Sequence, residues 1–370
     1  MRALDVRRLH RVTYENGMAM QERLVALRQK EAIADQLLFL EHTPVITLGR
    51  GGDSANLLAP AEIIAREGIR FFETTRGGDI TYHGPGQLVG YPILHLGEGR
   101  RDVRKFVTAL EEVIIRTLAG YGIDAHRAGG NRGVWTGNQK IAAIGVRIAR
   151  WVTSHGFALN LTTDLRHFDF ITPCGLPGTG VTSMEKLLGG APPLQEVQDR
   201  IISHFVTVFE RQPLDREHEL QLVKVLVHDG IRVLLLRRTA TRGAFWQPVT
   251  GRIEAGESAA AAAQRELFEE TGVTGSPAPI PLRQSFLIDS SFVGAADTDL
   301  FFADETAFHV NAGVEGAIRP NPEEHDEARW FTFPEAYETI RWSDDREALE
   351  QLERLMRESA PATTSNRHDE

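Results

Sequence analysis

Hydrophobic and polar positions follow two rhythms along the chain. In LQLVKVLV and IRVLLLRR, apolar aliphatic residues run almost without a break, and the HDG between them supplies an Asp-Gly turn. That pattern predicts two strands joined tightly. Upstream, IISHFVTVFE spaces its apolar residues like the end of an amphipathic helix. RQPLDREHE, residues 211–219, lies between the two; it is polar, carries Pro213, and reads as a join. Further on, SAAAAAQRELFEE predicts a strong helix with Ser258 as N-cap and Gly272 just past its end. The last residues, ESAPATTSNRHDE, are small and polar, as in a frayed tail. Strand-like and helix-like segments alternate in both halves without an internal repeat. The expected class is α+β, with domains at 1–212 and 213–357 and a disordered tail at 358–370.

Composition changes this picture only at its edges. A chain of 370 residues suits two domains, and 42% hydrophobic with 25% charged residues excludes a disordered or fibrous chain. No apolar run approaches the ~18 residues of a membrane span. The N-terminal MRALDVRRLHRV has basic residues but no apolar signal core, so a cytoplasmic location is expected. The single cysteine, Cys174, excludes an internal disulfide and a multi-cysteine zinc site. Residues 1–212 carry 25 Lys and Arg against 22 Asp and Glu, a balance of +3. The remainder carries 16 against 29, or −13, which makes the net −10. An acidic second half argues against a nucleic-acid partner, because phosphate neutralisation needs a basic face.

Three segments of the first half hold candidate chemistry. RGGDITYHGPGQLVGYP, residues 76–92, has glycines that let backbone approach a ligand, although a pair of tight turns would look the same. It is not a P-loop. Lys140 opens the apolar KIAAIGVRIAR; such a lysine is usually a snorkelling surface residue, and a desolvated one can act as base or acid. Cys174 sits between Pro173 and Gly175, in a loop. A free cysteine is more often a small buried hydrophobe than a nucleophile, but this setting is less typical of core.

Taken together, RGGDITYHGPGQ, KIAAIG, SHGFALN at 154–160, PCG at 173–175 and the upstream EHTPVITLGR resemble the octanoyltransferases of lipoate biosynthesis. The resemblance covers roughly residues 10–205. It implies a biotin/lipoate ligase-like catalytic domain that moves an octanoyl group from octanoyl-acyl carrier protein to a lysine of lipoyl domains, those of 2-oxoacid dehydrogenase complexes and the glycine cleavage protein. It implies Cys174 as thioester nucleophile, Lys140 as acid/base partner, and no cofactor. Arg76, Gly77, Gly78, Asp79, Ile80, Thr81, Tyr82 and His83 would line the acyl and carrier-arm pocket with Ala143, Ile144, Gly145, Gly156, Phe157 and Ala158. The alternative on the same fold is an ATP-dependent lipoate or biotin ligase, which runs through an acyl-adenylate and needs no nucleophilic cysteine.

In the second half, Glu266, Glu269 and Glu270 fall on one helix face, at spacings where like charges destabilise a bare helix. A solvated acidic face is the plain reading. The full spacing alters it: Gly251, Glu257 and then RELFEETGV from Arg265 to Val273 resemble the Nudix box at nine specified positions over twenty-three residues. That resemblance implies an α/β/α sandwich and Mg²⁺- or Mn²⁺-dependent hydrolysis of a nucleotide-type small molecule. Glu266 and Glu270 would be the main metal ligands, Glu269 and Glu257 supporting ones, and Arg265 would orient them by ion pairing. FWQPVTG and EEHDEARWFTFPEA are similar to the dihydroneopterin triphosphate pyrophosphatases, a comparison that implies Glu324 as an extra metal ligand or base. Arg237 and Arg238, at the end of IRVLLLRR, are candidates to meet substrate phosphate, although arginines on edge strands are commoner. The alternative is a nucleotide-sensing regulatory module, against which the intact set of carboxylates speaks.

Overall fold

The computed structural model describes residues 1–172, 180–214, 220–288, 301–313 and 318–359. The chain divides into two compact units, Met1–His218 with Phe286–Leu300, and Glu219–Ser285 with Phe301–Glu370. Among the described residues no helix is long and apolar enough to cross a membrane.

In the first unit the strands Arg2–Val12, Asp35–His42, Gln87–Ile93, Val152–Asn160, Gln139–Ala149, Asn131–Thr136 and His126–Ala128 lie side by side in that order. The first two are parallel, joined through helix Tyr14–Gln29; the following pairs are antiparallel. Gln87–Ile93 and Val152–Asn160 are buried along their whole length, as central strands covered on both faces must be. Helices Val103–Ala119 and Leu194–Phe209 supply much of the core, with Leu110, Ile114, Ile201 and Phe205 closed against Leu37, Phe39, Ile141 and Leu159. A second, small sheet pairs Val45–Leu48 with Arg70–Glu73 on one side and Ile80–His83 on the other.

The polar join is partly built into this unit. Arg211–Pro213 forms a strand parallel to Arg2–Leu4, and Arg211 donates to the buried Asp35 carboxylate at 2.8 Å. Residues 215–219 lie outside the described residues.

In the second unit the two expected strands are Leu220–His228 and Arg232–Arg238. Asp229 Oδ1 accepts from the backbone N–H of Ile231 and Arg232, and Gly230 takes φ 94°, so the turn forms for the reason its residues suggest. The sheet continues through Phe301–Asn311, parallel to Leu220–His228, and through His325–Thr332 on Arg232–Arg238. Helix Ala259–Thr271 is capped as its sequence implies: Ser258 Oγ accepts from Ala261 N–H at 3.2 Å, and Gly272 closes it at φ 71°. Helix Ser343–Ser359 takes in Glu358 and Ser359, the first two residues of the expected tail, because Leu349, Leu352 and Leu355 repeat at helical spacing into a buried cluster. Residues 360–370 lie outside the described residues.

Candidate active sites

Three separated segments of the first unit meet because their glycines allow contact. Gly145 pairs directly with Gly156 across neighbouring strands. A Cβ on Gly145 would stand 2.9 Å from Gly77 O, and one on Gly156 only 2.1 Å from Gly90 O. Gly77 N–H bonds Val146 O at 3.0 Å, which draws the loop beginning at Arg76 onto the strand Gln139–Ala149.

Beneath this junction is a cavity of about 410 Å³, within the size range of small-molecule sites. Arg76, Gly78–Thr81 and His83 border it from the first segment, Lys140 and Ala143–Gly145 from the second, and Gly156–Ala158 from the third. Two expected lining residues are placed elsewhere. Gly77 is held in the loop contact above, and Tyr82 points into the small sheet's core, 1% exposed and packed on Phe168. Tyr82 stands on the strand face opposite Thr81 and His83, with Ile80, which reaches both the small sheet's core and the cavity. The cavity also takes Tyr14, Tyr91, His155 and Asn160, not singled out from sequence. His155 and Asn160 stand inside the quoted SHGFALN; Tyr14 carries no local signal.

Lys140 is 7% exposed, with its Nζ 4.7 Å above the Trp135 ring. Its carbonyl accepts from Thr182 N–H at 3.0 Å, and Val181 pairs with it in a short parallel bridge from Gly180. Cys174 lies outside the described residues; the chain re-enters the described structure at Gly180, six positions later, beside Lys140. A polar chain also leads there: His83 Nδ1 meets Gln87 Oε1 at 2.7 Å, Gln87 donates to Asn160 at 2.9 Å, and Asn160 donates to Thr182 O at 3.0 Å.

The histidines in and around the cavity are held neutral by burial. Burial, with Arg76 and the other imidazoles adding repulsion, lowers His83 and His155 to about 3. Burial lowers His42 to about 4 against its hydrogen bond to Val12 O. Since a carbonyl only accepts, His42 carries its proton on Nδ1, and its Nε2 accepts from Tyr91 O–H at 2.6 Å. Arg76 is anchored by two bonds from Nη2 to Thr47, 2.7 and 2.8 Å. The cavity therefore offers the fixed Arg76 guanidinium, the buried Lys140 side chain and neutral imidazoles beside an apolar wall of Val89, Ile144 and Phe157. Such a site can hold an acyl chain and stabilise a developing oxyanion.

In the second unit one arginine gathers three of the glutamates. Arg265 donates to Glu257 at 2.9 and 3.0 Å, to Glu266 at 2.7 Å and to Glu269 at 3.1 Å. Gly251 leaves room for Glu266, since a Cβ there would stand 1.8 Å from the carboxyl carbon and push that side chain aside. Burial raises Glu266 despite Arg265, whereas hydrogen bonding from Arg265 lowers Glu257.

Glu270 stands apart, 3% exposed and raised by burial. The segment that leads into the strand His325–Thr332 packs on the end of this helix: Asn321 N–H bonds Glu270 O at 3.2 Å, and Asn321 O accepts from the N–H groups of Glu324 and His325. One donor atom each from Glu270, Glu324 and His325 then falls within 4.8 Å of the others. Glu324 is bonded by Arg238, while Arg237 turns outward to Asp326 at 2.7 Å. Glu270 Oε2 has no hydrogen-bond partner among the described residues. An orphaned buried carboxylate oxygen facing further donors fits a divalent cation.

The comparisons with known proteins agree with this geometry. Residues 13–206 match the family model of the lipoyl protein ligase A/B catalytic domain, and residues 221–352 that of the NUDIX domain. The octanoyltransferase of Myxococcus xanthus is 43% identical over 359 residues, 94% of this chain and 99% of that protein. The chain belongs to the octanoyltransferase family. The octanoyltransferase of Solibacter usitatus is 54% identical over 214 residues, 58% of this chain and 96% of its own. The Myxococcus match thus runs through both units, and the Solibacter one is of single-unit length. The structure of the E. coli dihydroneopterin triphosphate pyrophosphohydrolase is 27% identical, covering 35% of this chain and 92% of that one. Its TM-score is 0.31. This octanoyltransferase family member is accordingly an acyltransferase joined to a hydrolase domain of the NUDIX type, a class that uses divalent metal ions.

Proposed function

We propose that the first unit transfers an octanoyl group from octanoyl-acyl carrier protein to a lysine of lipoyl domains, in 2-oxoacid dehydrogenase complexes and the glycine cleavage protein, through a thioester on Cys174. The supporting observation is the buried Lys140 on the cavity wall, where the chain re-enters six residues after Cys174. The Cys174 thiolate attacks the carrier thioester, its S–C bond forms, and the carrier thiol leaves with a proton from Lys140. The incoming lysine amine then attacks the new thioester, giving its proton to Lys140 as Cys174 departs. Gly-rich backbone N–H groups at the cavity steady the tetrahedral oxyanion. Incubation with octanoyl-acyl carrier protein should add one octanoyl group, labile to hydroxylamine and absent in Cys174→Ala. Transfer retained by Cys174→Ala overturns the covalent route.

The second unit acts on a nucleotide-type substrate as a pyrophosphohydrolase requiring Mg²⁺ or Mn²⁺. Glu270, Glu324 and Glu266 would hold the ion, which supplies charge neutralisation at phosphate and a more acidic bound water. Arg265 keeps Glu257, Glu266 and Glu269 in place. Hydrolysis of a nucleotide panel should depend on the added metal and be lost in Glu270→Gln with octanoyl transfer intact. Loss of transfer in a folded Glu270→Gln protein favours the regulatory reading instead.

A further inference from the structure

We propose that His325 is a nitrogen donor to the divalent cation of the NUDIX unit, completing a Glu270–Glu324–His325 set. This rests on the reading that the unit holds such an ion.

Two observations point the same way. The first is placement. The backbone bond from His325 N–H to Asn321 O at 2.8 Å turns the ring inward, and the residue is 1% exposed. Nε2 stops 3.4 Å from Glu270 Oε2, and one donor each from these two residues and Glu324 lies within 4.8 Å of the others. The second is incompleteness. Both ring nitrogens of His325 lack a hydrogen-bond partner among the described residues, as does Glu270 Oε2. A buried imidazole normally satisfies at least one nitrogen. The near carboxylate oxygen of Glu270 makes only a long contact with Nε2, at 3.4 Å, and Nδ1 has no partner among the described residues. A cation between them would bind the imidazole lone pair and the carboxylate together.

The consequence is a choice of ion. All-oxygen sites suit Mg²⁺, whereas an imidazole in the set shifts preference toward first-row transition ions. The chemical class is therefore a divalent transition ion, with Mn²⁺ as the weakest-binding member and the useful spectroscopic one. Arg238, bonded to Glu324, offsets part of the negative charge and lessens the purely electrostatic pull on Mg²⁺.

The test uses the metal-stripped full chain loaded with Mn²⁺ and read by electron spin echo modulation. Wild type should show nitrogen coupling that changes pattern when histidine is ¹⁵N-labelled, a readout that needs no mutation. His325→Gln should abolish that coupling and weaken Mn²⁺ binding about ten- to a hundredfold, while Mg²⁺ binding changes by less than about threefold. Mn²⁺ bound in wild type without nitrogen coupling, or with coupling that survives in His325→Gln, overturns this inference and leaves the metal reading standing. Failure to bind Mn²⁺ at all overturns both.

Discussion

Acid should loosen the acyltransferase unit from its centre. His42, His83 and His155 are neutral in the fold, lowered by burial to about 4, 3 and 3. Unfolded, each would titrate near the ordinary value of about 6.5. Because the folded values are depressed, the stabilising contribution is present above pH 6.5. It is lost as pH falls toward the folded values. At pH 5 the unfolded rings gain about 1.5 units of protonation free energy each, roughly 2 kcal/mol per ring and about 6 kcal/mol in all. That rivals the whole stability of an ordinary domain, about 5–15 kcal/mol. Hydrogen-exchange mass spectrometry on the peptides spanning Gln87–Ile93 and Val152–Asn160 reads this locally. Protection, corrected for intrinsic rate, should drop by orders of magnitude between pH 8 and 5. Ring ¹⁵N shifts should stay those of neutral imidazole at pH 5. Rings that titrate near 6.5 in the native protein, or protection unchanged between the two pH values, would refute the reasoning.

The other predictions concern single groups. Lys140→Ala should slow octanoyl transfer by about 10²-fold or more in a single-turnover assay, the usual scale for a lost acid/base, with the fold unchanged by circular dichroism. Gly251→Ala should displace Glu266 and cost the hydrolase unit about 1–3 kcal/mol in denaturant unfolding, since the new Cβ overlaps the carboxyl group. In the same unit, burial pushes Glu305 up to about 7 and Asp345 up to about 6 around the buried Lys224, 2.7 Å from each. Raised carboxylates make this unit gain stability as pH falls from 8 to 5, opposite to the first unit, as two diverging unfolding transitions would show. Lys224→Met should destabilise it by about 3–5 kcal/mol at pH 8, where the carboxylates lose their counter-charge.

Local chemistry was readable in the sequence wherever the signal is itself local. The cap Ser258, the terminator Gly272 and the Asp229–Gly230 turn act on backbone within four residues, and each forms its element as written. The spaced motifs of the first half likewise mark the cavity, but not which residues face it. Tyr82 is packed against Phe168 in the small sheet's core, a tertiary contact that motif spacing does not carry. The pairing of Arg211–Pro213 with Arg2–Leu4 had no signature at all. A parallel bridge across two hundred residues leaves nothing in the composition of Arg211, Gln212 and Pro213, which is why that stretch reads as a join. Tyr14 belongs to the cavity for a similar reason: it opens the helix that crosses between parallel strands.

The helix Ala259–Thr271 poses an electrostatic problem that the fold solves in two unlike ways. Three glutamates on one face repel, and burial raises both Glu266 and Glu270. Arg265 answers on one side by bonding Glu257, Glu266 and Glu269 together, which uses its whole guanidinium fork. It makes no bond to Glu270, so the most buried carboxylate of the set takes no share of that positive charge. Glu324, brought in by the Asn321 turn, adds a second negative group beside it, with Arg238 as its partner. Two carboxylates so close repel in the isolated protein, and Arg238 on Glu324 with His325 beside Glu270 offsets only part of that charge. The same residues thus divide by role. Arg265 holds Glu257, Glu266 and Glu269 on the helix face, while Glu270, which it leaves out, stands beside Glu324 and His325.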